Sequence, residues 1–143
     1  MRVDLRLEPY AEMYEAERPR SGMPDEFFVQ DVVWLFECLG LTWDDYSAAD
    51  ELDERGRLPH RAVLKLSQAL ETSAVPRDVS ARELLAKKRE KLLTMLRLYA
   101  EWHEHPERIP AQMQDILVGR APGLEDVVGQ LPDPRPWLAL ALS

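Results

Sequence analysis

A chain of 143 residues with 45% hydrophobic and 31% charged side chains is long enough to bury one core and has the composition of a single globular domain. Its net charge of −8 disfavours the phosphate-driven affinity of nucleic-acid binding. No apolar run approaches the roughly 20 residues of a membrane-spanning helix, Met1 leads into Arg2 and Asp4 rather than an apolar signal, and Cys38 has no second cysteine to pair with. A cytoplasmic location is expected.

In chain order, Arg2–Leu7 alternates polar and apolar residues, the period of a half-buried strand. A short helix with Tyr10, Met13 and Tyr14 inward is expected next, then a loop marked by Pro19, Gly22 and Pro24. Pro24-Asp25-Glu26 reads as the first turn of a helix reaching Leu39, with Gly40 as its left-handed cap. Its wide apolar face would hold Phe28, Val32, Leu35, Phe36 and Leu39, opposite a polar stripe of Glu26, Gln30 and Glu37.

Thr42 and Asp45 resemble a capping box opening a short helix from Trp43 to about Glu54. Pro59 starts another helix, with Ala62, Val63, Leu66 and Leu70 facing inward, and Thr72–Asp78 forms a loop. Ser80 and Glu83 cap the longest helix, about Ala81 to His105, whose inward stripe is Leu85, Lys88, Leu92, Met95, Leu96, Tyr99 and Trp102. Lys88 interrupts that stripe and is expected to carry its ammonium outward along its own stem. Short helices are expected over Pro110–Val118 and Leu124–Gln130, then an extended connector through Pro132, Pro134 and Pro136. The apolar tail Trp137–Leu142 and the first strand each lack backbone partners, so they are expected to pair.

Charge is segregated along the chain: residues 1–54 carry −11, residues 55–97 carry +7 and residues 98–143 carry −4. Such a gradient either orients an approaching partner or cancels within the fold.

No phosphate loop, nucleophile turn or Cys-x-x-Cys pair is present. An EF-hand alignment on Gly56 would put Glu51, Asp53 and Arg55 at the first ligand positions but Ala62 where a bidentate glutamate is required, so calcium is not expected. In His103-Glu104-His105 the two imidazoles diverge by about 200° on a helix, which argues against zinc. Cys38 reads as a packing residue. The basic run Lys87-Lys88-Arg89-Glu90-Lys91 raises a helix-turn-helix reading of Arg61–Leu70 and Ala81–Lys91, but the connection between them is too long for that motif.

The residues together predict a mainly α fold, one domain over 1–143 forming an irregular bundle of about five to seven helices, with at most a marginal two-stranded β-element joining the termini. No catalytic residue, metal or cofactor is expected. The expected function is protein binding, by an inhibitor or immunity-type protein that covers a basic surface with its acidic segment. Trp43, Asp44, Asp45, Tyr46, Asp50, Glu51, Asp53 and Glu54 would form the contact, aromatic anchors among carboxylates. The rivals are an adaptor that binds through apolar helix faces and a DNA-binding regulator that uses the basic helix over 81–97.

Overall fold

The computed structural model describes residues 2–8, 10–11, 27–47, 51–52, 56–77, 81–111 and 135–142. Within them the architecture is a three-stranded antiparallel sheet packed with three α-helices. The strands are β1 (Val3–Glu8), β2 (Phe28–Val29) and β3 (Trp137–Leu142), in the order β2-β1-β3. The helices are α1 (Val32–Cys38), α2 (His60–Thr72) and α3 (Arg82–Glu104). This corrects the expected mainly α bundle of about five to seven helices with at most a marginal two-stranded β-element: among the described residues there are three helices and a sheet of three strands.

The correction begins with β1. Val3, Leu5 and Leu7 turn into the core, as period-two alternation requires, and Asp4 is buried as well. The strand takes a partner on each side: six residue pairs with β3, from Val3↔Leu142 to Glu8↔Trp137, and Leu5↔Val29 and Arg6↔Phe28 with β2. The first and last described strands therefore lie side by side in one sheet, with β1 at its centre. The outer side of β3 is also occupied, because Leu58 N–H donates to the Leu138 carbonyl at 2.8 Å and Leu140 N–H to the Gly56 carbonyl at 2.9 Å.

The helix expected over Pro24–Leu39 is only half present. Phe27–Val29 is extended, with Phe27 and Val29 buried and Phe28 turned to the opposite face, where the Arg6 guanidinium lies 5.4 Å from its ring centre. Aromatic and β-branched residues suit either state, and the exposed side of β1 decides for a strand. The switch to α1 occurs at Asp31, whose φ of 55° is left-handed. Its amide donates to the buried Asp4 carboxylate at 2.8 Å, and the preceding Gln30 carbonyl accepts from Lys88 Nζ at 2.9 Å. Lys88 carries its ammonium to this backbone acceptor at an exposed position, with the Trp34 ring centre 5.3 Å away. Gly40 does end the helix in the left-handed region, at φ 76°.

The helix expected from Trp43 to Glu54 is replaced, where described, by a 3-10 turn over Trp43–Asp45 without a side-chain cap from Thr42, and Glu51 is in 3-10 conformation as well. In 3-10 geometry residues three apart eclipse, so Trp43 and Tyr46 reach the same neighbour. Both meet Phe36 edge-on, at 5.0 and 5.5 Å.

The two longer helices follow the sequence closely. In α2, Ala62, Val63, Leu66 and Leu70 are the buried positions. In α3 the buried set is Leu85, Leu92, Leu93, Met95, Leu96, Tyr99 and Trp102, and Pro106 turns its end into a 3-10 turn. Its N-cap is Ala81 in the left-handed region, without a side-chain cap bond, and the Ser80 of the expected capping box lies outside the described residues. Of the short helix expected after Pro9, Tyr10 and Ala11 are described and helical and the rest lies outside the described residues, as do most of Pro110–Val118 and all of Leu124–Gln130. Tyr10, Phe27 and Trp102 close the core between sheet and α3, with ring centres 5.0 to 6.1 Å apart.

Candidate functional site

Where β1 begins and β3 runs out, α1 and the segment after it lean over the end of the sheet and leave an apolar groove of about 730 Å³. Its floor is buried: Val3 from β1, then Trp43 and Ser47 from the 3-10 turn and its exit. Its walls are half-buried aliphatics: Val33 from α1, Leu41 and Leu52 from the following segment, and Leu140 from β3. The rim is exposed and carries Glu37, Gly40, Thr42 and Asp44. A concave apolar space of this size with a few polar groups at its mouth has the form of a binding site.

Each residue of the expected contact segment has a definite place or lies outside the description. Trp43 is buried on Phe36 and on the groove floor, so its ring is a core contact with one side on the groove. Tyr46 is half-buried, with Lys65 Nζ 5.5 Å from its ring centre. Asp44 and Asp45 are exposed. Glu51 is exposed and ion-paired with Arg61 of α2, and Lys65 donates to the Asp45 carbonyl at 3.1 Å. Asp50, Asp53 and Glu54 lie outside the described residues.

The basic middle of the chain therefore meets part of the acidic first third across α2. Asp44 and Glu37 are different: among the described residues neither makes an ion pair. Glu37, Val33, Leu41 and Leu140 were not legible as site residues, because the groove is assembled from segments about a hundred positions apart. The polar stripe of the second expected helix already contained Glu37, but nothing in a single helix pattern sets it beside the tail.

A second cluster joins α2 to the end of α3. His60 Nδ1 and the Tyr99 hydroxyl are 2.7 Å apart, and the His60 and His103 rings stack at 4.4 Å with 14° between planes. Burial pushes the Tyr99 phenol up to about 12, so the hydroxyl that shares this hydrogen bond with the imidazole keeps its proton at neutral pH. His105 faces away, 3.3 Å from Glu107, so the two histidines of the His-Glu-His run serve different neighbours. Among the described residues no three His, Cys, Asp or Glu side chains come together to hold a metal ion. Glu51, first in the EF-hand alignment, is held by Arg61, and Ala62 is buried in α2. Cys38 is half-buried against the core.

The basic run of α3 divides between inside and outside. Arg89 is held at the end of α2 through the Leu70 and Ser73 carbonyls, at 3.1 and 2.9 Å, and Lys88 is engaged as described. Lys87 stays exposed and Lys91 half-exposed beside a shallow depression lined by Ala86, Glu90 and Thr94. No described helix is long and apolar enough to cross a membrane. The chain matches no family model, no curated protein and no solved structure among those compared.

Proposed function

We propose that this chain is a non-enzymatic binding domain of the inhibitor or immunity type, which covers a basic surface of another protein with the face that carries Asp44 and Asp45. The observation that supports this reading most is the pair of rim carboxylates, Glu37 and Asp44, exposed at the mouth of an apolar groove and without a described counter-cation. Carboxylates so placed attract a cationic surface over distances comparable to the Debye length, and the apolar space behind them holds it once seated. The DNA-binding reading is weaker, because Arg89 is held part-buried against the end of α2 and Lys88 is engaged with the Gln30 carbonyl, which leaves fewer free cations on that face. The adaptor reading has the exposed Leu64 and Leu84, but scattered apolar residues are ordinary on a protein surface. With one half-buried cysteine, a reducing cytoplasmic setting suits the domain.

The test is co-purification from the native host at low salt, identification of the partner by mass spectrometry, and association kinetics with the purified pair. Asp44→Asn with Asp45→Asn removes two charges at nearly constant size. Association should slow roughly tenfold at low salt, and added salt should erase most of the difference. Unchanged association of a correctly folded variant at low salt would overturn the reading.

A further inference from the structure

From the groove's build we infer the chemistry of the partner segment that enters it: an extended stretch with an apolar anchor residue and a lysine or arginine close beside it. The inference rests on the partner-binding reading above and deepens it. The anchor occupies the space between Leu41, Leu52 and Leu140, where half-buried aliphatic walls present surface that gains from being covered. The cation lies at the rim between Glu37 and Asp44, which approach the same groove from α1 and from the 3-10 turn.

Charge selects this occupant over the others. A second copy of the chain would bring another −8 and the same carboxylates to the rim. Like charges brought together at low dielectric repel, which disfavours self-association through this face. A purely apolar segment would fill the walls but leave both carboxylates partly desolvated without a counter-charge, at a cost in affinity. A basic segment without an anchor would satisfy the rim and leave the aliphatic walls wet. Only the combination meets both.

The experiment uses the full chain and a displayed library of short random peptides selected at low salt. The best sequences are then synthesised with a fluorescent label and measured by anisotropy against wild type and three variants. Thr42→Trp narrows the mouth from an exposed position, Val33→Trp fills the wall, and Glu37→Gln with Asp44→Asn neutralises the rim. Selected peptides should carry a leucine, methionine or phenylalanine within a few positions of an arginine or lysine. Affinity should fall about tenfold for the neutralised rim, with most of that difference lost in high salt. It should also fall at least about tenfold for Thr42→Trp, which keeps the test open if Val33→Trp fails to fold. Amide shifts on peptide addition should centre on Val33, Leu41 and Leu52.

Basic peptides that lack an apolar anchor and bind Thr42→Trp as well as wild type would overturn the groove inference while leaving the acidic-face reading in place. Apolar peptides bound without preference for Lys or Arg, and insensitive to salt, would overturn both. A selection with no enrichment over the Thr42→Trp control would overturn the groove inference alone.

Discussion

Gly40 and Gly56 share nearly the same backbone conformation, φ +76° and +72°, yet a side chain would meet opposite surroundings at the two positions. A Cβ on Gly40 finds nothing within 4 Å, whereas one on Gly56 would sit 2.7 Å from the Leu140 carbonyl oxygen. That oxygen belongs to β3 and cannot swing aside like the tip of a side chain. The left-handed region costs a non-glycine residue about 1–2 kcal/mol, and alanine recovers about 0.4–1 kcal/mol of this through its stiffer unfolded chain. Gly40→Ala should therefore destabilise by about 0–1.6 kcal/mol. Gly56→Ala carries the same backbone term and must also push the Gly56–Leu58 segment off β3, weakening the two hydrogen bonds at 2.9 and 2.8 Å. At about 0.5–1.5 kcal/mol net for each bond, the total comes to about 1–4.6 kcal/mol, or about 1–3 kcal/mol more than at Gly40. Urea unfolding followed by tryptophan fluorescence reads both variants, with an unchanged denaturant slope confirming that the states compared are the same. Equal losses for the two alanines would refute the close approach of this segment to β3.

Two further outcomes test the core and the histidine cluster. Leu92→Ala and Leu96→Ala remove fully buried side chains from the middle of α3 and should each cost about 2–5 kcal/mol; a melting temperature unchanged within a degree for both would show that face to be exposed. Tyr99, with its pKa pushed up to about 12, binds its proton more tightly folded than unfolded, where tyrosine titrates near 10. Its contribution is complete below about pH 10 and is lost as pH rises toward about 12, so unfolding should show a steeper alkaline loss for wild type than for Tyr99→Phe. Parallel pH profiles above about pH 9 would remove the basis for that burial effect.

What the sequence disclosed follows the range of the interactions involved. In α2 and α3 one helix period decides burial, so Ala62, Val63, Leu66 and Leu70, and all but Leu93 of the buried set in α3, could be read from spacing alone. β1 and β3 could be read from alternation and from the need of two isolated strands for partners. Phe27–Val29 could not, because its apolar pattern satisfies a helix as well as a strand. The choice rests on contacts with residues 3–8 and with Lys88, more than twenty and more than fifty positions away. At the 3-10 turn the deciding contact is nearer in sequence but still outside the helix period, since Phe36 meets both Trp43 and Tyr46. The groove was the least legible feature, as its walls come from α1, the segment after it and β3, which no one sequence pattern joins.

The acidic segment shows how composition and placement separate. Along the chain the acids of residues 1–54 and the bases of residues 55–97 look like two opposed patches. In space part of that opposition is consumed: Arg61 holds Glu51, Lys65 caps the Asp45 carbonyl beside Tyr46, and Lys88 and Arg89 hold the backbone carbonyls of Gln30, Leu70 and Ser73. Charges engaged within the fold are poor recruiters, because a partner must first displace the contact already made. Recognition then turns on where uncompensated carboxylates remain and what lies beside them, rather than on how many acids the segment contains. Glu37 comes from a helix that composition would not have chosen, and Asp44 from the segment it would. They matter together because α1 and the 3-10 turn bring them to the rim of one apolar groove, where a cation seated between them also places its neighbour against Leu41, Leu52 and Leu140.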